Sequence, residues 1–141
     1  MKRLIAPALA AVAASVFGGS ANAHHSTSIF DWGKEAHVEG TVDEFQWSQP
    51  HGFIWLKVPG EGGKADPWGF EGMSPSWLGR HEWSSRSLQA GEKVTLDYYP
   101  LRDGRKGGFF VRVKMPDGKM LEALPGGPGR GPPPASAASG K

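Results

Sequence analysis

Three histidines combine a metal-ligating side chain with a suggestive position: His24, His25 and His51. The first two matter because of what precedes them. Lys2 and Arg3 lead into an apolar run rich in Ala and Val from Leu4 to Phe17, followed by Ala21-Asn22-Ala23. A basic start, an apolar stretch and an A-x-A site are the parts of a cleavable secretory leader, residues 1–23. Cleavage after Ala23 would make His24 the new N-terminus. An N-terminal histidine offers a metal its α-amino nitrogen and its imidazole together, as a chelate from one residue. With reference pKa values near ~8 for the amine and ~6.5 for the ring, a Cu(II) ion can displace both protons at neutral pH. His51, held after Pro50 at the start of an expected strand, is the best second ligand to close the equatorial plane. His25 stands beside them as a third imidazole. The expected metal site is therefore His24, His25 and His51, with copper as the cofactor.

Plainer readings stand beside this one. His24-His25 also reads as a polar stretch that follows a cleavage site, and cutting after Ala21 would destroy the chelate. Pro50-His51 also reads as a hairpin-shaping pair, with the ring stacked on Trp47 or Phe53. Glu71 is either a carboxylate at or behind the metal, or a residue stabilised near a helix N-terminus by the dipole. Arg102, Arg105 and Lys106 surround Asp103-Gly104 and read as a solvated hairpin tip or as a contact for an anionic partner. His37 and His81 lack comparable context. The chain has no G-x-S-x-G, no phosphate-cradling Gly loop opening a helix and no H-E-x-x-H, so no enzyme is expected.

Composition narrows the setting. Removing residues 1–23 from the 141 leaves 118, enough for one small domain. There is no cysteine, hence no disulfide framework, no thiolate site and no lipidated cysteine after the cleavage site. Lys2 and Arg3 would leave with the leader, so 14 of the 16 basic residues face 14 acidic ones. That balance argues against a nucleic-acid footprint. The leader's apolar stretch runs into small and polar residues, which indicates export to the periplasm and no membrane anchor.

The elements that must position these residues follow from pattern. Residues 124–141 are almost all Pro, Gly, Ala and Ser and are expected to be a disordered tail. Residues 24–33 form an arm in which Phe30 and Trp32 alternate and could pin it to the domain, residues 34–123. Strands are expected over His37–Trp47, Gly52–Val58, Trp68–Glu71, Lys93–Tyr99, around Phe109 to Val113, and over Lys119–Ala123. Val38 and Val42 share a parity that Phe45 and Trp47 break, which predicts a bulge near Asp43-Glu44. Ser74-Pro75 is an N-cap followed by Pro at the first helical position, predicting a short helix over Ser76–Trp83. Three strands, a short helix, then two or three strands is the order of an OB-like five- to six-stranded barrel in an all-β chain of small α content. A small sandwich or half-open barrel is the alternative. Val38, Val42, Ile54, Leu56, Val94, Leu96, Val111 and Val113 are expected to share its core, with the helix plugging one end.

These landmarks also resemble a family of small exported bacterial proteins, the domain-of-unknown-function family 6152. The matching residues are His24-His25-Ser26, Gly40-Thr41-Val42, Trp47 with Pro50-His51, Trp68, Glu71, Ser74-Pro75, Trp83, Leu88 with Gly91, and Tyr99-Pro100 with Arg102-Asp103-Gly104. The family commonly has Asn-Pro-His where this chain has Gln49-Pro50-His51. The resemblance implies secretion and a compact β-rich domain, and brings no activity with it. The expected function is exported copper(II) binding for storage, transport or delivery, with the metal ion and another periplasmic protein as partners. The alternative is a metal-free periplasmic module that uses a barrel face for a protein, peptide or glycan.

Overall fold

A computed structural model describes residues 27–124. The segments read as leader and tail, and with them His24 and His25, lie outside the described residues.

Six strands form one sheet: β1 (Ala36–Gln46), β2 (Phe53–Pro59), β3 (Ala65–Glu71), β4 (Lys93–Pro100), β5 (Gly107–Lys114) and β6 (Met120–Glu122). A short helix α1 (Pro75–Leu78) lies between β3 and β4. The strand order is β3-β2-β1-β4-β5-β6, and β3 also pairs with β5. That last pairing is parallel and joins Gly69, Phe70 and Glu71 to Gly107, Gly108 and Phe109. It closes strands β1 to β5 into the OB-like barrel expected from the element order, and β6 is one added strand on β5.

Period-two alternation decides the inside. All eight expected core residues are buried, from Val38 at 9 % exposure to Ile54, Leu96, Val111 and Val113 at 0 %. On β2 the other parity faces out, and Trp55 is 38 % exposed. The predicted bulge is present, because the β1–β2 register shifts between Val42 and Glu44. The extra residue lets Val42 and Phe45 both face inward, where a regular strand would place them on opposite sides.

Two expectations about extent need correction. β3 begins at Ala65, before the expected Trp68, and runs through Pro67 opposite Lys57. A proline survives in a strand where its missing N–H is not needed by a second neighbour, and the parallel partner β5 reaches only as far down as Gly69. The helix expected through Trp83 stops at Leu78 and continues as a 3₁₀ turn over Gly79–His81. Glu82 then takes a left-handed conformation (φ 65°) that turns the chain. Tertiary hydrogen bonds account for the stop: the Trp83 indole N–H donates to the Glu122 carbonyl (3.0 Å) and the Trp77 indole N–H to the Ala123 carbonyl (3.0 Å). Two indoles thus hold the β6 segment beside α1. The Ser74 hydroxyl accepts from the Trp77 amide (3.3 Å), as its N-cap position predicts.

The arm is docked. Asp31 N–H donates to the Pro100 carbonyl (2.8 Å) and Arg102 N–H to the Ile29 carbonyl (2.9 Å), so the arm pairs with the end of β4 and the residues after it. Phe30 and Trp32 are 4 % and 8 % exposed.

Candidate functional site

His51 leads into β2, and the turn before it contains a cis Gln49–Pro50 peptide. The Gln49 amide donates to the Ser76 hydroxyl (3.1 Å), which ties this turn to the first turn of α1. Behind His51 the backbone is clamped to the end of β3. Gly72 N–H donates to the Gly52 carbonyl (2.9 Å), and Gly52 N–H donates to the Met73 carbonyl (3.0 Å). The β2–β3 register then sets Phe53 opposite Glu71. The outcome is a direct contact between His51 Nδ1 and the Glu71 carboxylate, with both side chains mostly buried.

This contact answers one question left by the sequence. Glu71 is engaged by a side chain twenty residues away, so its role is not that of a lone carboxylate at a helix N-terminus. An ionised carboxylate only accepts hydrogen bonds, so Nδ1 is the donor in this contact. Donation of one ring N–H to a carboxylate is the usual setting of a metal-ligating histidine, because it fixes the ring and raises the basicity of the other nitrogen.

The arm meets the same face of the barrel. Phe53, Glu71, Phe109 and Tyr99 are successive register partners across β2, β3, β5 and β4. Register partners project to one side of a sheet, about 4.8 Å apart from strand to strand. The Phe30 ring lies 5.5 Å from that of Phe109, and the Trp32 ring lies 5.2 Å from Phe109 and 5.0 Å from Tyr99. The arm is therefore seated on Phe109, the immediate cross-strand neighbour of Glu71. Arg102 secures it by donating from Nε to the Phe30 carbonyl (3.0 Å).

Arg102 is the residue whose role the sequence reading missed. Its loop reads as a solvated tip, and Arg105 with Asp103 fits that: they pair with each other (2.7 Å), both largely exposed. The hydrogen bonds from Arg105 hold the Asp103 carboxyl below its ordinary range. Arg102, though exposed, instead reaches a backbone carbonyl of the arm, a partner that carries no side-chain signature.

Arg112, His81 and His37 make contacts elsewhere in the fold. Arg112 on β5 reaches Glu35 and Asp97 (2.6 Å to the latter) and joins the base of the arm to β4. Burial alone would lower its pKa; the hydrogen bonds and charges of Glu35 and Asp97 outweigh that and raise it. His81 donates from Nδ1 to the Trp77 carbonyl (2.9 Å) and stacks on the Trp77 ring at 4.7 Å. His37 stands in register with Asp97 on β1.

Among the described residues, no three His, Asp or Glu side chains gather as a metal site. The structure brings His51 to Glu71; His24 and His25 are not described. No helix of the described residues is long and apolar enough to cross a membrane. Comparison with curated proteins and with solved structures gave no match. Residues 11–111, which span the arm, the His51–Glu71 pair and the barrel through most of β5, match the model of a family of unknown function, DUF6152, and the chain belongs to that family.

Proposed function

We propose that the processed chain is an exported copper(II)-binding protein, for storage, transport or delivery, in which the His24 amine and ring join His51 around one ion. The observation that carries this reading is the Glu71-backed His51 ring on the barrel face where the arm docks. His24 lies six chain steps before Phe30, and an extended chain spans up to about 3.3–3.6 Å per residue, so the arm has the reach to cross from Phe109 to His51. His25 supplies a third imidazole. A site of amine and imidazole nitrogens suits Cu(II) in a tetragonal geometry, and by the usual divalent order it favours Cu(II) over Zn(II).

The test is the intact mass of the exported protein, with and without Cu(II), together with its electron paramagnetic resonance spectrum. The expected result is a chain starting at His24 that gains one copper, with a tetragonal all-nitrogen signal. A mature chain that begins at Asn22, or one that gains no copper, overturns the reading. Placing one extra residue before His24 should weaken binding sharply, since it converts the amine to an amide. His51→Ala should weaken it less, because the His24 chelate survives.

A second reading keeps one specific observation. Trp55 projects from β2 with 38 % exposure and is stacked against Phe53 at 6.2 Å. An aromatic surface of this kind suits a metal-free module that binds a protein, peptide or glycan. Retention of such a ligand by copper-free protein, lost in Trp55→Ala, would favour it.

A further inference from the structure

We infer that the protein has a further binding site, for a small organic monocarboxylate, in a cleft at the end of the barrel opposite His51. The cleft encloses about 390 Å³. That falls at the lower end of the roughly 300–1,000 Å³ range of small-molecule sites. It lies where β2 parts from β1: their ladder runs no further than Thr41 and Lys57, while β1 continues against β4 as far as Ala36. Pro59, the last residue of β2, forms one edge of it. His51 stands before the first residue of the same strand, so roughly 20 Å or more of chain separates the two places. The site does not depend on copper.

Register and charge carry the inference. Thr95 on β4 is the register partner of Glu39 on β1 and of Lys114 on β5. Register partners project to one side of a sheet, and Lys93, two residues before Thr95, shares that side. The strand spacing and the rise per residue put the Cα atoms of Lys93 and Lys114 about 8 Å apart. Two long side chains at that separation can close on one carboxylate. All four residues line the cleft. The ion pairs among the described residues include none of Lys93, Lys114 and Glu39. Lys57 and Lys106, by contrast, each hold an aspartate, at 2.6 and 2.5 Å.

The ligand class follows from these groups. Two ammonium groups with no partner attract a carboxylate. Half-buried Met115 and the rings of Pro59 and Pro116 offer its hydrocarbon body an apolar wall. The Glu39 carboxylate stands on the far side of Thr95 from Lys114 and repels a second anionic group. A monocarboxylate is therefore favoured over a dicarboxylate.

The experiment is a titration of the purified, metal-free protein with hexanoate, followed in ¹H–¹⁵N amide spectra at constant ionic strength. Hexanamide and adipate are the comparisons. Hexanoate should produce saturable shifts at the amides of Lys93, Thr95, Lys114 and Met115, and leave those around His51 unmoved. Hexanamide, with the same body and no charge, should bind more weakly. Adipate should also bind more weakly, and Glu39→Gln should narrow its gap from hexanoate. Lys93→Gln and Lys114→Gln should each weaken hexanoate about 2–5-fold, the range for solvent-exposed charge pairs. Shifts that fail to saturate or that scatter over the surface overturn the inference, and this result needs no variant to fold. Hexanamide bound as tightly as hexanoate overturns it too, since the lysines would then have no part. So does a folded double variant, Lys93→Gln with Lys114→Gln, that keeps the wild-type affinity. Adipate bound more tightly than hexanoate by the wild type removes the role of Glu39 and with it the monocarboxylate class.

Discussion

A phenol in the barrel wall predicts a loss of stability in alkali. Tyr98 is 7 % exposed, with its ring 5.0 Å from Phe70 and 6.3 Å from Trp68. Burial raises its pKa above the ordinary tyrosine value. A folded-state pKa above the unfolded one means that the folded chain binds the proton more tightly. The associated stability is complete below the unfolded value, near about 10, and is lost as pH rises through the folded value. Melting temperatures should therefore fall as pH climbs past that point, and Tyr98→Phe should flatten the decline. An unchanged alkaline limb in Tyr98→Phe would assign the decline to other groups. His51 and Glu71 show what a single residue can and cannot reveal. The sequence marks His51 by the rigid Pro50 before it, and it offers Glu71 as a carboxylate near by. Their meeting depends on the β2–β3 register, which no local pattern states.

At the scale of elements, close approach dictates several glycines, two of them against aromatic rings. A Cβ on Gly72 would lie 2.0 Å from the Phe110 ring, and one on Gly69 would lie 2.5 Å from the Trp55 ring. Gly72→Ala must push a fully buried phenylalanine aside. It should cost about 1–3 kcal/mol, read as a lower urea midpoint, and should disturb the clamp behind His51. Gly79 is the control: it has helical backbone angles, and nothing lies within 4 Å of an added Cβ. Gly79→Ala should be neutral or stabilise by about 0.4–1 kcal/mol. Equal losses in the two variants would show that crowding by Phe110 is not the cause. Strand parity was legible on β2, where dry and wet residues alternate, and the change of parity along β1 betrayed its bulge before Phe45; on β5, Gly107 to Val111 are all buried and parity alone says less. The end of α1 was not legible, because the indoles of Trp77 and Trp83 pull the chain toward the β6 segment over long range. Pro67 misled for a related reason: its place in β3 is harmless only because of where β5 stops.

The whole molecule couples arm to barrel. Phe30 and Trp32 cover Tyr99 and Phe109, while the Arg112 pairs with Glu35 and Asp97 fasten the arm's base. Trp32→Ala should cost about 3–5 kcal/mol, in the range for a large aromatic removed from a packed site. Undocking should also expose the peptide after Lys34, so limited trypsin digestion should cut there faster. Ile29→Ala is the control, because Ile29 is 45 % exposed and contributes chiefly its backbone. Faster cleavage in Ile29→Ala but not in Trp32→Ala would show that the two rings do not hold the arm. The alternating aromatics announced this docking in the sequence, but the loop that receives them did not, since Arg102 recognises a carbonyl that any residue could supply.

The parallel seam between β3 and β5 also sets an order of events. Residue 71, paired with Phe53 on one side, finds its second strand partner only at residue 109, after α1, β4 and the loop beyond have been threaded. Loop-closure entropy makes such distant pairings slow relative to hairpins such as β1–β2. A growing chain that has made β3 but not β5 carries an open strand edge, with Glu71 exposed on it and the barrel unsealed. Such an edge invites pairing with another chain. A chain truncated before Gly107 should therefore aggregate, and the last strands are as much a guard against association as a part of the wall.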